Sequence, residues 1–158
     1  ADPLAYIKMH YSKTRKRLFL FGEIYSVKLG NTKAAREIRK LNPLNQLITA
    51  DSEEPRAIAA LCELGLKVVG AKKGPGSVDY GLEFLADEIE EIIIDPERCP
   101  NAAREFTGYE LEMDKDGNFK GSYPDKNNHT IDAVRYGMED AMVRRKARIR
   151  SKQKLGLR

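Results

Sequence analysis

The sequence predicts a mixed α/β fold with helices on both faces of the sheet. Three observations predict it. Two strand-like segments near the N-terminus are joined by a short turn. A strand–helix–strand unit follows within residues 46–70. A long amphipathic helix closes the chain after Asn127-Asn128.

The elements follow in order. Leu4 to Tyr11 partly alternates and reads as a strand. Ser12-Lys13-Thr14 is a turn, and Arg17 to Tyr25 is an aromatic, apolar strand. So short a link implies an antiparallel hairpin. Ser26 to Leu29 extends this as a third short strand. Asn31 or Thr32 caps a helix over roughly Lys33 to Leu41, and Pro43 ends it. Gln46 to Ala50 is a short strand that runs into Asp51. Ser52 caps the next helix, which reaches about Leu64 and stops at Gly65. Leu66 to Gly70 is the following strand. These two strands should be parallel, with a right-handed crossover.

A loop, Lys72-Lys73-Gly74-Pro75-Gly76-Ser77, leads to a helix from about Val78 to Glu88. Ile92-Ile93-Ile94 reads as an edge strand. Asp95-Pro96 starts a helix, with Pro100 interrupting it near its start. Tyr109 to Met113 and Phe119 to Tyr123 flank Asp116-Gly117, a hairpin signal. Asn127-Asn128 then cap a helix that runs from about His129 into the C-terminal tail. There is no internal repeat and no linker, so the expectation is one domain over 1–158. A ribonuclease-H-like fold has this order of elements, as do other mixed α/β folds.

Charge divides the chain. The 158 residues hold 28 Lys+Arg and 24 Asp+Glu, a net of +4. Eight of the basic residues and none of the acidic ones lie in 143–158, which leaves residues 1–142 at a net of −4. An acidic body with a basic tail points to a nucleic-acid or membrane partner, or to a solvated helix end. No apolar run approaches the ~20 residues of a membrane-spanning helix. No basic-then-apolar leader opens the chain, and no initiator Met, so a fragment of a longer protein is expected. Two cysteines, Cys62 and Cys99, make neither a disulfide framework nor a zinc site, and a reduced intracellular setting follows. Cys62 lies near Ile58 and Leu61 and reads as core.

Three places can carry chemistry. At ~100° per residue, His129, Asp132 and Tyr136 share one side of the last helix, and Ile131, Val134, Met138 and Ala141 share the other. An imidazole and a carboxylate three residues apart can meet one metal ion or phosphate. The plainer reading is an ordinary first helical turn with a favourable acid. Asp51 sits just past the C-terminal end of a parallel strand, where α/β proteins place ligands. Its plainer role is to help Ser52 cap the next helix. Together, Asp51 and Asp132 can share a divalent ion, Mg²⁺ or Mn²⁺. Lys72 and Lys73, in a glycine-containing loop that opens a helix, can hold phosphate, or be two solvated lysines of a surface turn. The loop is not a P-loop. Asp114 to Asn118 faintly matches a calcium loop, but a hairpin turn fits better.

Several segments now align with one family. They are Ala1 to Ala5, Phe21 to Tyr25, Ile48 to Arg56, Ala71 to Ser77 and Asn128 to Tyr136, in that order. The chain resembles the C-terminal nuclease domain of the large terminase subunit of tailed bacteriophages and prophages, over nearly its whole length. The segments around Asp51 and Asp132 are fairly specific together, and neither suffices alone.

The resemblance implies a ribonuclease-H-like, divalent-metal-dependent endonuclease that cuts concatemeric double-stranded viral DNA during packaging. It implies an ATPase motor ahead of this segment, the small terminase subunit and the portal as partners, no membrane, and the cytoplasm of the bacterial host. It carries over Asp51, Asp132 and His129 as metal-site residues, with Lys72 and Lys73 on DNA phosphates. Catalysis would use two ions about 3.5–4 Å apart. The family's first-strand acid usually lies a few residues before the Asp-Pro matched by Asp2-Pro3, ahead of Ala1, so weak or single metal binding is expected of these residues. Leu111 stands where an aromatic is expected. The rival readings are another ribonuclease-H-like nuclease, of resolvase or transposase type, and a non-catalytic DNA-binding or docking module.

Overall fold

The hairpin forms as the sequence predicts. In the computed structural model, β1 (Leu4–Ser12) pairs antiparallel with β2 (Arg17–Ser26). The structure describes residues 2–72, 74–109, 116 and 125–142. Lys73, Leu111, the basic tail 143–158 and all of the expected second hairpin except Tyr109 and Asp116 lie outside the described residues. Most of the segment 114–118 lies outside them as well.

The register of the hairpin slips between Lys8 and Met9. Lys8 opposes Gly22 while Met9 opposes Leu20, so Phe21 is the extra residue of a bulge. A one-residue slip inverts the side-chain alternation of a strand. Before the slip Leu18 and Leu20 face the same side as Met9 and Tyr11; after it Ile24 faces the opposite side with Tyr6. Glu23, paired with Ile7, and Tyr25, paired with Ala5, are thereby turned toward the Leu18 and Leu20 side.

The remaining elements are α1 (Asn31–Leu41), β3 (Ile48–Ala50), α2 (Pro55–Glu63), β4 (Val68–Gly70), α3 (Ser77–Glu83) continued by a π-helical turn (Phe84–Glu88), β5 (Glu91–Ile94), α4 (Pro100–Gly108) and α5 (His129–Gly137). β5 pairs parallel with β2 at the edge of a mixed three-stranded sheet of order β1-β2-β5, and β3 pairs parallel with β4 in a second set. α5 packs against both β1 and β3 and so joins the two sets.

Two hydrophobic clusters flank the sheet. One gathers Leu18, Leu20, Phe84, Leu85, Cys99, Ala102, Val134 and Met138. The other gathers Ala34, Ala35, Ile38, Leu61, Leu66 and Val68 from the strand–helix–strand side. Ile7, Met9 and Tyr11 of β1 pack on the first, and Leu4 and Tyr6 on the second. Period-two alternation thus serves helices on both faces. Leu18 and Leu20 are 0% and 1% exposed, and burying such a side chain stabilises a fold by about 1.5–3 kcal/mol.

Several expectations are corrected. Ser26 to Leu29 is not a strand, because β2 ends at Ser26 and Lys28 turns the chain at φ +62°. Gly30 rather than Asn31 or Thr32 occupies the N-cap of α1. Ser52 does not cap α2: Glu54 holds that position, with Pro55 as first helical residue. Asp95-Pro96 opens a turn and not a helix. Asp95 Oδ1 accepts from the amides of Glu97 at 3.0 Å and Arg98 at 3.3 Å, and α4 starts at Pro100, which fits the first helical position instead of breaking it. Cys62 is exposed, since the buried stripe of α2 runs through its neighbour Leu61. Its Sγ lies 3.3 Å from the Val68 carbonyl. Cys99 is the buried cysteine, and its thiol pKa is pushed up to about 11, by burial first and then by Glu23 and Asp95.

Candidate functional site

The β3–β4 pair ends at Ala50 opposite Gly70, and the Ala71 amide donates to the Ala50 carbonyl at 2.7 Å. Asp51 and Lys72 therefore leave neighbouring strands at the same end. The strands are too short to hold Asp51 through their own ladder. A local turn does it: Asp51 Oδ1 accepts from the Glu53 amide at 3.0 Å, and α2 starts two residues later at Pro55. Lys72 is fixed from the other side. Its amide donates to Glu139 Oε2 at 2.8 Å, just beyond the end of α5, while its side chain stays exposed.

α5 supplies the other predicted residues. Its apolar stripe is buried as expected, with Ile131, Val134 and Met138 at 4% exposure or less. His129 and Asp132 lie on the partly exposed side. α5 also packs on β3, the strand that runs into Asp51.

Asp132 keeps 31% of its side chain exposed and pairs with Arg135, Oδ1 to Nη2 at 3.3 Å. Burial raises its pKa above the usual carboxylate range; Arg135 pulls the other way, Asp125 adds to the rise, and His129 opposes it. A carboxylate that is costly to ionise alone gains from a cation at its free oxygen. Arg135 is itself buried. Its stem crosses α3 at Gly81, where an added Cβ would collide with Arg135 Cγ and Cδ. Its guanidinium stacks 4.7 Å from the centre of the Tyr136 ring.

The sequence reading missed four further residues here. Tyr25 meets His129 edge to face, 6.3 Å between ring centres, and Arg104 sits over the same tyrosine ring at 5.7 Å. Burial raises the Tyr25 pKa, helped by the nearby Glu105 carboxylate. Glu105 is buried in α4 and accepts from both the amide and the hydroxyl of Thr130. Glu23 of β2 accepts from the amides of Asn101 and Ala102 at the start of α4. The signal for Glu105 was an acid at a core position, three residues after the fully buried Ala102.

Two carboxylates and an imidazole are the donor types of Mg²⁺ and Mn²⁺ sites. Asp51, Asp132 and His129 fit such an ion by chemistry. Among the described residues no three His, Cys, Asp or Glu side chains form a cluster that would hold a metal. Nor is any helix among the described residues long and apolar enough to cross a membrane. A surface depression of about 750 Å³ lies at the opposite end of β2 from Tyr25, lined by Arg15, Arg17, Glu90 and Glu91.

Residues 1–140 match the family described as the Terminase RNAseH like domain. The chain is similar to the terminase large subunit of Bacillus phage SPP1, 44% identical over 143 residues, which is 89% of this chain and 34% of that protein. It is also similar to the PBSX phage terminase large subunit of Bacillus subtilis strain 168, at 29% over 140 residues, covering 88% of this chain and 32% of that one. The chain thus spans about a third of the length of these relatives. Among solved structures it is similar to the manganese-bound g2p large terminase nuclease domain of bacteriophage SPP1, with a TM-score of 0.80 and 43% identity over 89% of this chain and 80% of that one. It shares its fold with the large terminase of a thermophilic bacteriophage, at a TM-score of 0.59 and 16% identity over 87% of this chain and 40% of that one.

Proposed function

The chain belongs to the terminase RNase H-like domain family, and on that premise we propose that it is a divalent-metal-dependent endonuclease that cuts concatemeric double-stranded viral DNA during genome packaging. One observation carries the reading. α5 packs on β3, so the helix that bears His129 and Asp132 lies against the strand that runs into Asp51. The manganese bound by the SPP1 nuclease domain supports a divalent metal in this domain.

Asp51, Asp132 and His129 would hold Mg²⁺ or Mn²⁺. Such an ion, when bound, lowers the pKa of a water and stabilises charge on phosphate oxygens. The protein's own residues do the rest. Asp51, just past β3, and Asp132, on α5, would be the carboxylate ligands. His129, edge to face with the Tyr25 ring, would be a ligand or carry a proton at an imidazole nitrogen. Lys72, pinned through its amide to Glu139, brings a charged side chain to the same strand end, and with Lys73 it would hold DNA phosphates without reading sequence. In this proposal the rest of the protein supplies the ATPase motor, the small terminase subunit and portal are its packaging partners, and the host cytoplasm is where it acts.

The test is plasmid cleavage by the full-length protein. We expect nicking and linearisation with Mn²⁺, abolished in Asp51→Ala and Asp132→Ala. Undiminished cutting by both variants overturns the assignment. Cleavage confined to branched DNA would move the protein to the resolvase type. Salt-sensitive DNA binding with no metal-dependent cutting would make it a docking module.

A further inference from the structure

α5 begins without the cap that its sequence offers. Asn128 occupies the N-cap but makes no side-chain hydrogen bond to the first turn. Its Nδ2 turns to Asp125 Oδ1 instead, at 3.5 Å. The first amides of a helix have no partner within the helix and need an acceptor from elsewhere. Here Glu105 provides it from α4, 25 residues away in sequence. Its Oε1 accepts from the Thr130 amide at 2.7 Å and from the Thr130 hydroxyl at 2.6 Å.

This is a costly way to cap a helix. Glu105 is 2% exposed and Thr130 0%, and Glu105 Oε2 is buried with no hydrogen-bond partner among the described residues. A buried carboxylate is expensive unless fully satisfied, and Asn128 already stands at the capping position. What the tertiary cap adds is direction. α4 is fixed by a second carboxylate: Glu23 Oε2 accepts from the amide and the side-chain Nδ2 of Asn101, and Oε1 from the Ala102 amide at 2.7 Å. Two carboxylates in series thus tie β2 to α4 and α4 to the first turn of α5. That turn carries His129 and leads into Asp132.

We propose that Glu105 is a positioning residue for the α5 side of the metal site, setting the orientation of His129 and Asp132 through Thr130. The inference rests on the nuclease reading above. It assigns Glu105 no contact with metal or DNA. Its charge also complements the positive end of the α5 dipole.

The test uses full-length protein, wild type and the variants Glu105→Ala, Glu105→Gln, Thr130→Val and Thr130→Ser. Amide exchange over the first turn of α5 is measured without metal, Mn²⁺ affinity by calorimetry, and folding by thermal melting. Residues that orient metal ligands typically change affinity by roughly 10- to 100-fold. Glu105→Ala should speed first-turn exchange and weaken Mn²⁺ binding by about 10-fold or more. Glu105→Gln, which keeps an acceptor and loses the charge, should fall between. Thr130→Val should weaken binding and Thr130→Ser restore it.

If folded Glu105→Gln and Thr130→Val match wild type in exchange and Mn²⁺ affinity, the proposal is overturned, even where Glu105→Ala fails to fold. Asp132→Asn separates the two claims. Should it leave Mn²⁺ affinity intact, the metal reading fails and takes the metal half of this proposal with it. The exchange rates still decide whether Glu105 holds the turn.

Discussion

The Asp51 carboxylate closes a local turn, whereas the helix that carries Asp132 is tied to distant parts of the chain. The Asp51 carboxylate turns back to an amide two residues on, at the end of a three-residue strand. Asp132 depends on Arg135, whose stem lies across Gly81 of α3. The turn that leads to it depends on Glu105 of α4, and α4 on Glu23 of β2. A strand end delivers a carboxylate to a cleft by topology alone. A helix laid across that end must be told its rotation and its height, and buried polar contacts do this.

The largest expected effect removes the comparison altogether. Asp51→Ala and Asp132→Ala should each lower Mn²⁺-dependent plasmid cleavage by about 100-fold or more, beyond the range of residues that only orient a ligand. A large difference between the two would mean that one side works without the other.

The next effect strikes the Asp132 side alone. Gly81→Ala puts a Cβ inside contact distance of the Arg135 stem. Overpacking of this kind costs about 1–3 kcal/mol, so thermal melting should show a clear loss, and Arg135→Ala in the same chain should relieve it. No change in the single variant would mean that Arg135 moves aside freely.

The third is a pH effect. The folded chain raises the Asp132 pKa, chiefly by burial. The contribution of this group to stability is therefore full below the ordinary carboxylate pKa and is lost as pH rises through the elevated one. Melting of metal-free protein should fall more steeply from acid to neutral pH in the parent than in Asp132→Asn. Bound Mn²⁺ should offset the loss, since a ligand must be deprotonated to bind. Parallel pH profiles would contradict this.

The smallest effect is on the local side. Asp51→Asn keeps an oxygen for the Glu53 amide, so its melting free energy should stay within about 0.5 kcal/mol of the parent. A larger loss would show that the charge of Asp51 itself contributes to the fold.

The same division explains what the sequence could tell. The hairpin, the parallel pair and the buried stripe of Ile131, Val134 and Met138 follow from local patterns and were legible. So was the position of Asp51 just past the end of β3. The Phe21 bulge was not, although it turns Glu23 and Tyr25 toward α4 and α5. Nothing in a run of aromatic and apolar residues marks which one is extra. Asn127-Asn128 read as a sufficient helix cap, whereas the acceptor for the Thr130 amide comes from Glu105. Asp95-Pro96 has the chemistry of a helix start, but its carboxylate closes a turn and Pro100 takes the first helical position. In the bulge and at the α5 cap, contacts from far along the chain override a local preference.

The most direct test of the site is a crystal of the protein soaked in Mn²⁺ and measured at the manganese edge. The account predicts an anomalous peak shared by the carboxylates of Asp51 and Asp132, with His129 beside it. Strong manganese peaks elsewhere on the molecule, with none between these two residues, would contradict it.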